Sequence, residues 1–256
     1  MIRLPSPRMA SRVWYRNAVM FKRYWRGTLL PVFADPVIYF VALGFGLGSY
    51  IASVQGVPYS DFIAPGLCAS SAMFAASYEC THSFFWRMTE SRIHDNMIAT
   101  PIEPDDVAAG ELLWAATKAM VYGTAFLVVI ALLGYVNSAN AIALPLFLFI
   151  GGLAFGALAM TYAVLIPHMD YFSFFHVLVM NPMFLFGGVF FPFDRLPEWA
   201  QVLGWFVPTH HLVDIARALT NGGSWASVLG NALWLLVAIG LLAIVPLWKL
   251  RARLVA

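Results

Sequence analysis

The sequence predicts an all-α polytopic membrane protein, with six transmembrane helices preceded by an amphipathic helix. Three observations carry this. The 256-residue chain is 61% hydrophobic and only 11% charged, where a soluble domain is usually about a quarter charged. No single globular core hides that much apolar side chain, so the solvent is lipid. Apolar runs long enough to cross a bilayer recur at about 28–53, 61–86, 108–135, 141–166, 172–192 and 227–248. Finally, the cations are one-sided. Of 15 Lys and Arg, seven precede the first run, two lie in 87–107 and three follow the last run, while Arg195 and Arg217 fall on the opposite side and Lys118 lies inside a run. The positive-inside rule then places both termini and the 87–107 loop in the cytoplasm.

Residues 1–26 carry Arg3, Arg8, Arg12, Arg16, Lys22, Arg23 and Arg26 and no acid. On a helix, Val13, Trp14, Ala18, Met20, Phe21, Tyr24 and Trp25 share one half and Arg12, Arg16, Lys22, Arg23 and Arg26 the other, as in a helix lying in the membrane interface. The segment is too long in both its basic and apolar parts for a cleavable signal. The first run holds Pro31, Pro36 and the pair Gly44 and Gly48; the fourth holds Gly152 and Gly156. Glycines four apart permit close helix contact. Cys68 and Cys80 sit 12 apart on one helix, about 18 Å of rise, and cannot pair with each other.

Between the second and third runs lies a polar island, 87–107, read as a cytoplasmic loop. Segment 193–226 mixes apolar and polar residues, is broken by Pro197, Gly204 and Pro208, and is too short for two further spans. The division is therefore one membrane domain, 1–256, with an interface helix 1–26, spans in 28–86, the polar loop 87–107, spans in 108–192, an outer segment 193–226, a last span 227–248 and a tail 249–256.

Glu79, Glu111 and Lys118 are ionisable residues that fall inside spans. A lone ammonium there costs about 2.5–3.5 kcal/mol on insertion scales, so Lys118 should have a partner. Counted from the cytoplasmic ends of their helices, Lys118 lies roughly 15 Å deep and Glu79 roughly 10 Å, a gap that snorkelling closes. The expectation is a Glu79–Lys118 pair with Glu111 nearby at the cytoplasmic mouth.

Much chemistry is missing. There is no G-x-x-x-x-G-K-[ST], H-E-x-x-H, G-x-S-x-G or C-x-x-C motif. His210, His211 and Asp214 could touch a metal, but a helix cap or polar interface is the favoured reading. A stand-alone secondary transporter would need ion-coupling residues at mid-membrane, for which Lys118, Glu79 and His176 are the candidates. A membrane enzyme would need clustered acids or histidines, and these are scattered.

The residues resemble a known family, the ABC-2 type permeases, over nearly the whole chain, and most of all its branch that exports nodulation factors. The likeness rests on the basic start leading into Leu30–Pro31, on Gly44–Gly48, and on Met97–Ile98–Ala99–Thr100–Pro101–Ile102. It is most specific in Gly187–Gly188–Val189–Phe190–Phe191–Pro192, then Leu196–Pro197, Pro208–Thr209–His210 and Arg217.

The resemblance implies a non-enzymatic half-transporter in the bacterial inner membrane. Two copies pair with two copies of a P-loop ATPase subunit that binds ATP and Mg, while this chain binds no cofactor and no nucleic acid. The interface helix, with Trp14, Arg16, Phe21 and Arg23, lies at the inner face. The 87–107 loop forms a coupling helix that docks on the ATPase: Ile93 and Met97 bury in its groove, Arg92, His94 and Asp95 make rim contacts, and Thr100–Pro101 end the helix. The 193–226 segment dips back as re-entrant helices, and Gly187, Gly188, Phe190, Phe191, Pro192, Leu196, Pro197, Pro208, His210 and Arg217 form an outer gate. The cargo expected is an amphiphile, a lipo-oligosaccharide or glycolipid, with a hydrophobic drug or antibiotic as the alternative.

Overall fold

The computed structural model describes residues 5–51 and 53–255, with the side chains of Arg26, 28–33, Asp35 and Val255 also left aside. Arg3 of the basic count, and the Arg26 and Leu30–Pro31 side chains, lie outside what is described. The described residues are almost wholly helical, with one isolated bridge between Val54 and Val57.

Helix α1 runs unbroken from Pro7 to Tyr39 and continues through a π-helical stretch, Phe40–Gly46, and a short 3-10 turn, Leu47–Ser49. The separate interface helix and first span expected from the sequence are thus one continuous helix; Gly27 does not interrupt it. Helix α2 (Tyr59–Tyr78) passes through a second π-helical stretch, Glu79–Ser83, into α3 (Phe84–Thr89). Then come α4 (Ile93–Ile98), α5 (Pro104–Leu132) and α6 (Leu144–Ala163). Helices α7 (Phe172–Phe175) and α8 (Asn181–Phe186) are joined by a third π-helical stretch, His176–Met180. The short α9 (Glu198–Trp205) and α10 (Pro208–Asn221) precede α11 (Trp225–Leu242) and α12 (Ile244–Val255).

Among the described residues, four helical stretches are long and apolar enough to cross a membrane: Pro104–Leu132, Ala139–Ala163, Met169–Phe186 and Trp225–Leu254. They correspond to the third to sixth runs of the sequence. The first run contributes a shorter apolar helix, Pro36–Ser49. The second run is less oily because α2 is a buried helix rich in Ala and Ser, enclosed by α5, α6 and α10. The hydroxyls of Ser70 and Ser71 donate back to the carbonyls of Gly66 and Leu67, so these two buried groups are satisfied within the helix.

Helix α5 is the hub, packing against α1, α2, α6 and α12. It starts with a capping box: Glu103 accepts from the first turn, Asp106 reaches back to the Glu103 amide, and Pro104 fills the first position. Its crossing with α6 needs the glycine at 152, where a Cβ would stand 2.5 Å from Ala119 Cβ. The Gly152/Gly156 pair therefore serves an internal contact, whereas Gly44 and Gly48 meet nothing closer than 3.5 Å.

Candidate functional site

At the end of α2 the chain assembles a buried charge cluster. Glu79, the first residue of its π-helical stretch, accepts from Lys118 Nζ at 2.5 Å, pairing the two residues on neighbouring helices. It also accepts from Arg87 at 2.7 Å. Arg87 turns the other way as well, holding both Glu111 oxygens through Nε at 3.1 Å and Nη2 at 2.6 Å. His94 of α4 adds a contact from Nε2 to Glu111 Oε1 at 3.2 Å. Both carboxylates are almost fully buried, at 2% and 1% exposure. Buried carboxylates persist only when paired and hydrogen-bonded, and here each is. A forked guanidinium suits this bridging role better than an ammonium would.

Arg87 is the residue that sequence reasoning missed, counted only as part of the polar loop. It follows Glu79 by eight residues, about two turns, so their shared face was the available signal. The helix simply continues past 86 to Thr89 and carries Arg87 with it.

The α4 helix lies in the polar island, opened by Arg92 at a left-handed φ of 48° and closed by Thr100, whose hydroxyl donates to the Met97 carbonyl at 2.6 Å. Arg92, Asp95 and Pro101 are exposed and Ile93 is half-buried. His94 is not at the rim: it is wholly buried, its ring 5.1 Å from that of Phe84, because Glu111 supplies it an internal polar partner. Met97 packs against the protein's own core and is only partly available to anything outside.

The N-terminal residues are also turned inward. Trp14 Nε1 donates to Thr117 at 2.9 Å and Phe21 meets Trp114 edge-on at 5.5 Å, so part of the apolar face expected against lipid packs on α5. Arg16 is half-buried beside the charge cluster, while Arg23 is exposed with its guanidinium over Tyr24. The tail reaches the same end of the molecule. Arg251 of α12 bonds Asp105 at 2.8 Å and lies 3.7 Å from Glu103, and Arg253 donates to the carbonyls of Ala163 and Ile166.

The residues singled out after the fifth run come together around α10. Arg217 donates to the carbonyls of Gly188, Val189 and Phe62 and lies 3.8 Å over the Phe62 ring. Gly188 has a φ of 82°, a conformation natural to glycine. At Gly187 a Cβ would sit 2.4 Å from Met183 O and 2.7 Å from Thr209. Phe190 is buried against Phe184, at 4.8 Å between rings, while Phe191 and Pro197 are exposed and Pro192 and Leu196 half-buried. Pro208 starts α10, and His210 stacks on Phe193 at 3.7 Å with Asp214 3.7 Å away. Both ring nitrogens of His211 are engaged, by Asn231 and the Trp205 carbonyl, which suits the polar-interface reading. A cavity of about 770 Å³ lies beside α9 and α11, with walls that include Leu203, Trp205 and Trp234.

The ABC-2 type transporter family model matches residues 11–220. Nodulation protein J of Rhizobium leguminosarum bv. viciae is 41% identical over 217 residues, 84% of this chain and 83% of that protein. Nodulation protein J of Bradyrhizobium diazoefficiens is 34% identical over 241 residues, 93% of this chain and 92% of the relative. The inner membrane transport permease YadH of Escherichia coli K12 is 27% identical over 79% of this chain and 78% of its own length.

Proposed function

Because this chain belongs to the ABC-2 type transporter family, we propose that it is the permease subunit of an ATP-driven exporter that moves an amphiphile out across the bacterial cytoplasmic membrane. It crosses six times with both termini inside, and works as a homodimer with two copies of a P-loop ATPase. Hydrolysis belongs to that partner with its ATP and Mg, since this sequence holds no phosphate-binding loop. Helices α9 and α10 form the re-entrant outer segment, and the Gly187–Pro192 turn clamped by Arg217 is part of the outward gate.

The observation that carries this reading is the link from α4 to the spans. His94 joins α4 to Glu111 of α5, and Arg87 joins Glu111 to Glu79 and so to Lys118. A push on the exposed side of α4, at Arg92, Asp95 and the edge of Ile93, is then shared by α2, α3 and α5, which move together as one lever. Rigid-body motion of that kind is how small displacements at an effector surface become alternative arrangements of packed helices. ATP-driven closure of the partner subunits supplies the push, and a path between the two permease copies opens outward.

The likeness to the nodulation proteins favours a lipo-oligosaccharide or related glycolipid as cargo. A hydrophobic drug is the second reading, favoured by the apolar cavity beside α9 and α11. The test is co-purification with the ATPase encoded beside it, followed by ATP-dependent uptake into inverted vesicles of a lipo-oligosaccharide and of a hydrophobic dye. Failure to bind any P-loop subunit would overturn the permease reading. Leu196→Cys tests the crossings: labelling by an impermeant thiol reagent only from the cytoplasmic side would refute the six-span arrangement.

A further inference from the structure

We infer that the small pocket between α1, the π-helical stretch that follows α2, and α5 is an anion site that takes a phosphate group. The pocket is about 160 Å³, and its polar wall consists of Arg16, Asn17, Glu79, Ser83, Arg87 and Lys118. That is below the about 300 Å³ at which pockets for drug-sized molecules begin, so it suits a headgroup and not a whole ligand.

The charges do not balance within the protein. Arg87 and Lys118 are spent on Glu79 and Glu111. Arg16 is a third cation, and among the described residues no carboxylate lies within ion-pair distance of it. Among the described residues its guanidinium donates to the Asn17 oxygen, at 2.9 Å. Asn17 is itself only 4% exposed, and its amide nitrogen finds no acceptor. A half-buried guanidinium without an ion pair and a buried amide donor without an acceptor converge on this pocket. Phosphate suits these donors: the Arg16 fork matches two of its oxygens, and Lys118 keeps two further protons after bonding Glu79.

The same helix offers exposed Arg12, Lys22 and Arg23 beside exposed Tyr24 and Trp25, the mixture that gathers anionic lipid at a membrane surface. The phosphate can therefore come from a lipid headgroup or from solution, and the chemistry is shared. This inference needs only that the helix sits at a membrane, so it stands or falls apart from the transport reading.

Trp14 and Trp114 flank the site, so tryptophan fluorescence of the detergent-solubilised full chain reports on it. Titrate with phosphatidic acid, with diacylglycerol of the same chains, and with inorganic phosphate. Saturable binding of phosphatidic acid but not diacylglycerol is expected, weakened at least tenfold by Arg16→Gln, less than threefold by Arg16→Lys and less than twofold by Arg12→Gln. Binding of inorganic phosphate with the same Arg16 dependence would identify a soluble anion as the source; no response to it would identify the lipid. Equal binding of diacylglycerol, or Arg16→Gln binding like the native chain, would overturn the site. Because Arg16→Lys keeps the fold's charge, a general loss of folding in Arg16→Gln remains distinguishable.

Discussion

Replacing Arg87 by Met would remove the one cation that both buried carboxylates share. Glu79 would keep Lys118, but Glu111, at 1% exposure, would be left with His94. Removing one partner of a buried pair costs about 3–5 kcal/mol, because the other charge is left uncompensated. For a chain of this size each kcal/mol moves the melting midpoint by about 2–4 °C, so a drop of about 10 °C is expected. Glu111→Gln should be milder, about 1.5–3 kcal/mol, since Arg87 still reaches Glu79 and an amide can accept its bond. The double variant should recover at least about 1 kcal/mol relative to the sum of the singles, the sign of a direct pair in a mutant cycle. The assay is fluorescence-detected thermal unfolding of the solubilised protein, with exposed Arg92→Met as the control. If Arg87→Met melts with Arg92→Met, or the two effects simply add, the cluster does not hold this end of the molecule together.

Further outcomes follow from the same geometry. Glu79→Lys and Lys118→Glu should each lower assembled protein several-fold, with the double swap restoring part of it on a Western blot of membranes; a double swap no better than the worse single would separate the two residues. Ile93→Asp should leave folding intact and abolish stimulation of the partner ATPase, whereas Met97→Asp should also cost about 2 kcal/mol or more because Met97 leans on the core; equal melting points for the two variants would refute that distinction. Gly187→Ala should lose more than Gly188→Ala, since a Cβ at 187 meets backbone at 2.4 Å while at 188 the cost is the φ of 82°, about 1–2 kcal/mol; their order of melting temperatures checks it.

The spans from 104 onward were legible because lipid-facing helices need sustained hydrophobicity, and those four carry it. The Glu79–Lys118 pair was legible because charge inside a bilayer demands a partner and depth could be counted from both helix ends. What stayed hidden has a common cause: hydrophobicity says that a side chain avoids water, not what it meets instead. Trp14 and Phe21 read as lipid-facing yet pack on α5, an equally apolar surface. His94 read as outward because it sits in a polar loop, and only the fold brings Glu111 beneath it. Arg87 was obscured by placing the helix end at 86, three residues before its last turn closes at Thr89. The packing of α10 against α2 was equally invisible, since Thr209 and Arg217 satisfy themselves on Met73 and on carbonyls of the 188–189 turn.

The Arg251–Asp105 bond joins residues 146 positions apart in the sequence. Helix α12 packs against the start of α5, next to the polar loop. The corner around that loop therefore depends on a contact that no neighbouring stretch of sequence supplies. Local opening of α12 would loosen the 103–106 turn as well, so the two should lose hydrogen-exchange protection together, although they are far apart along the chain.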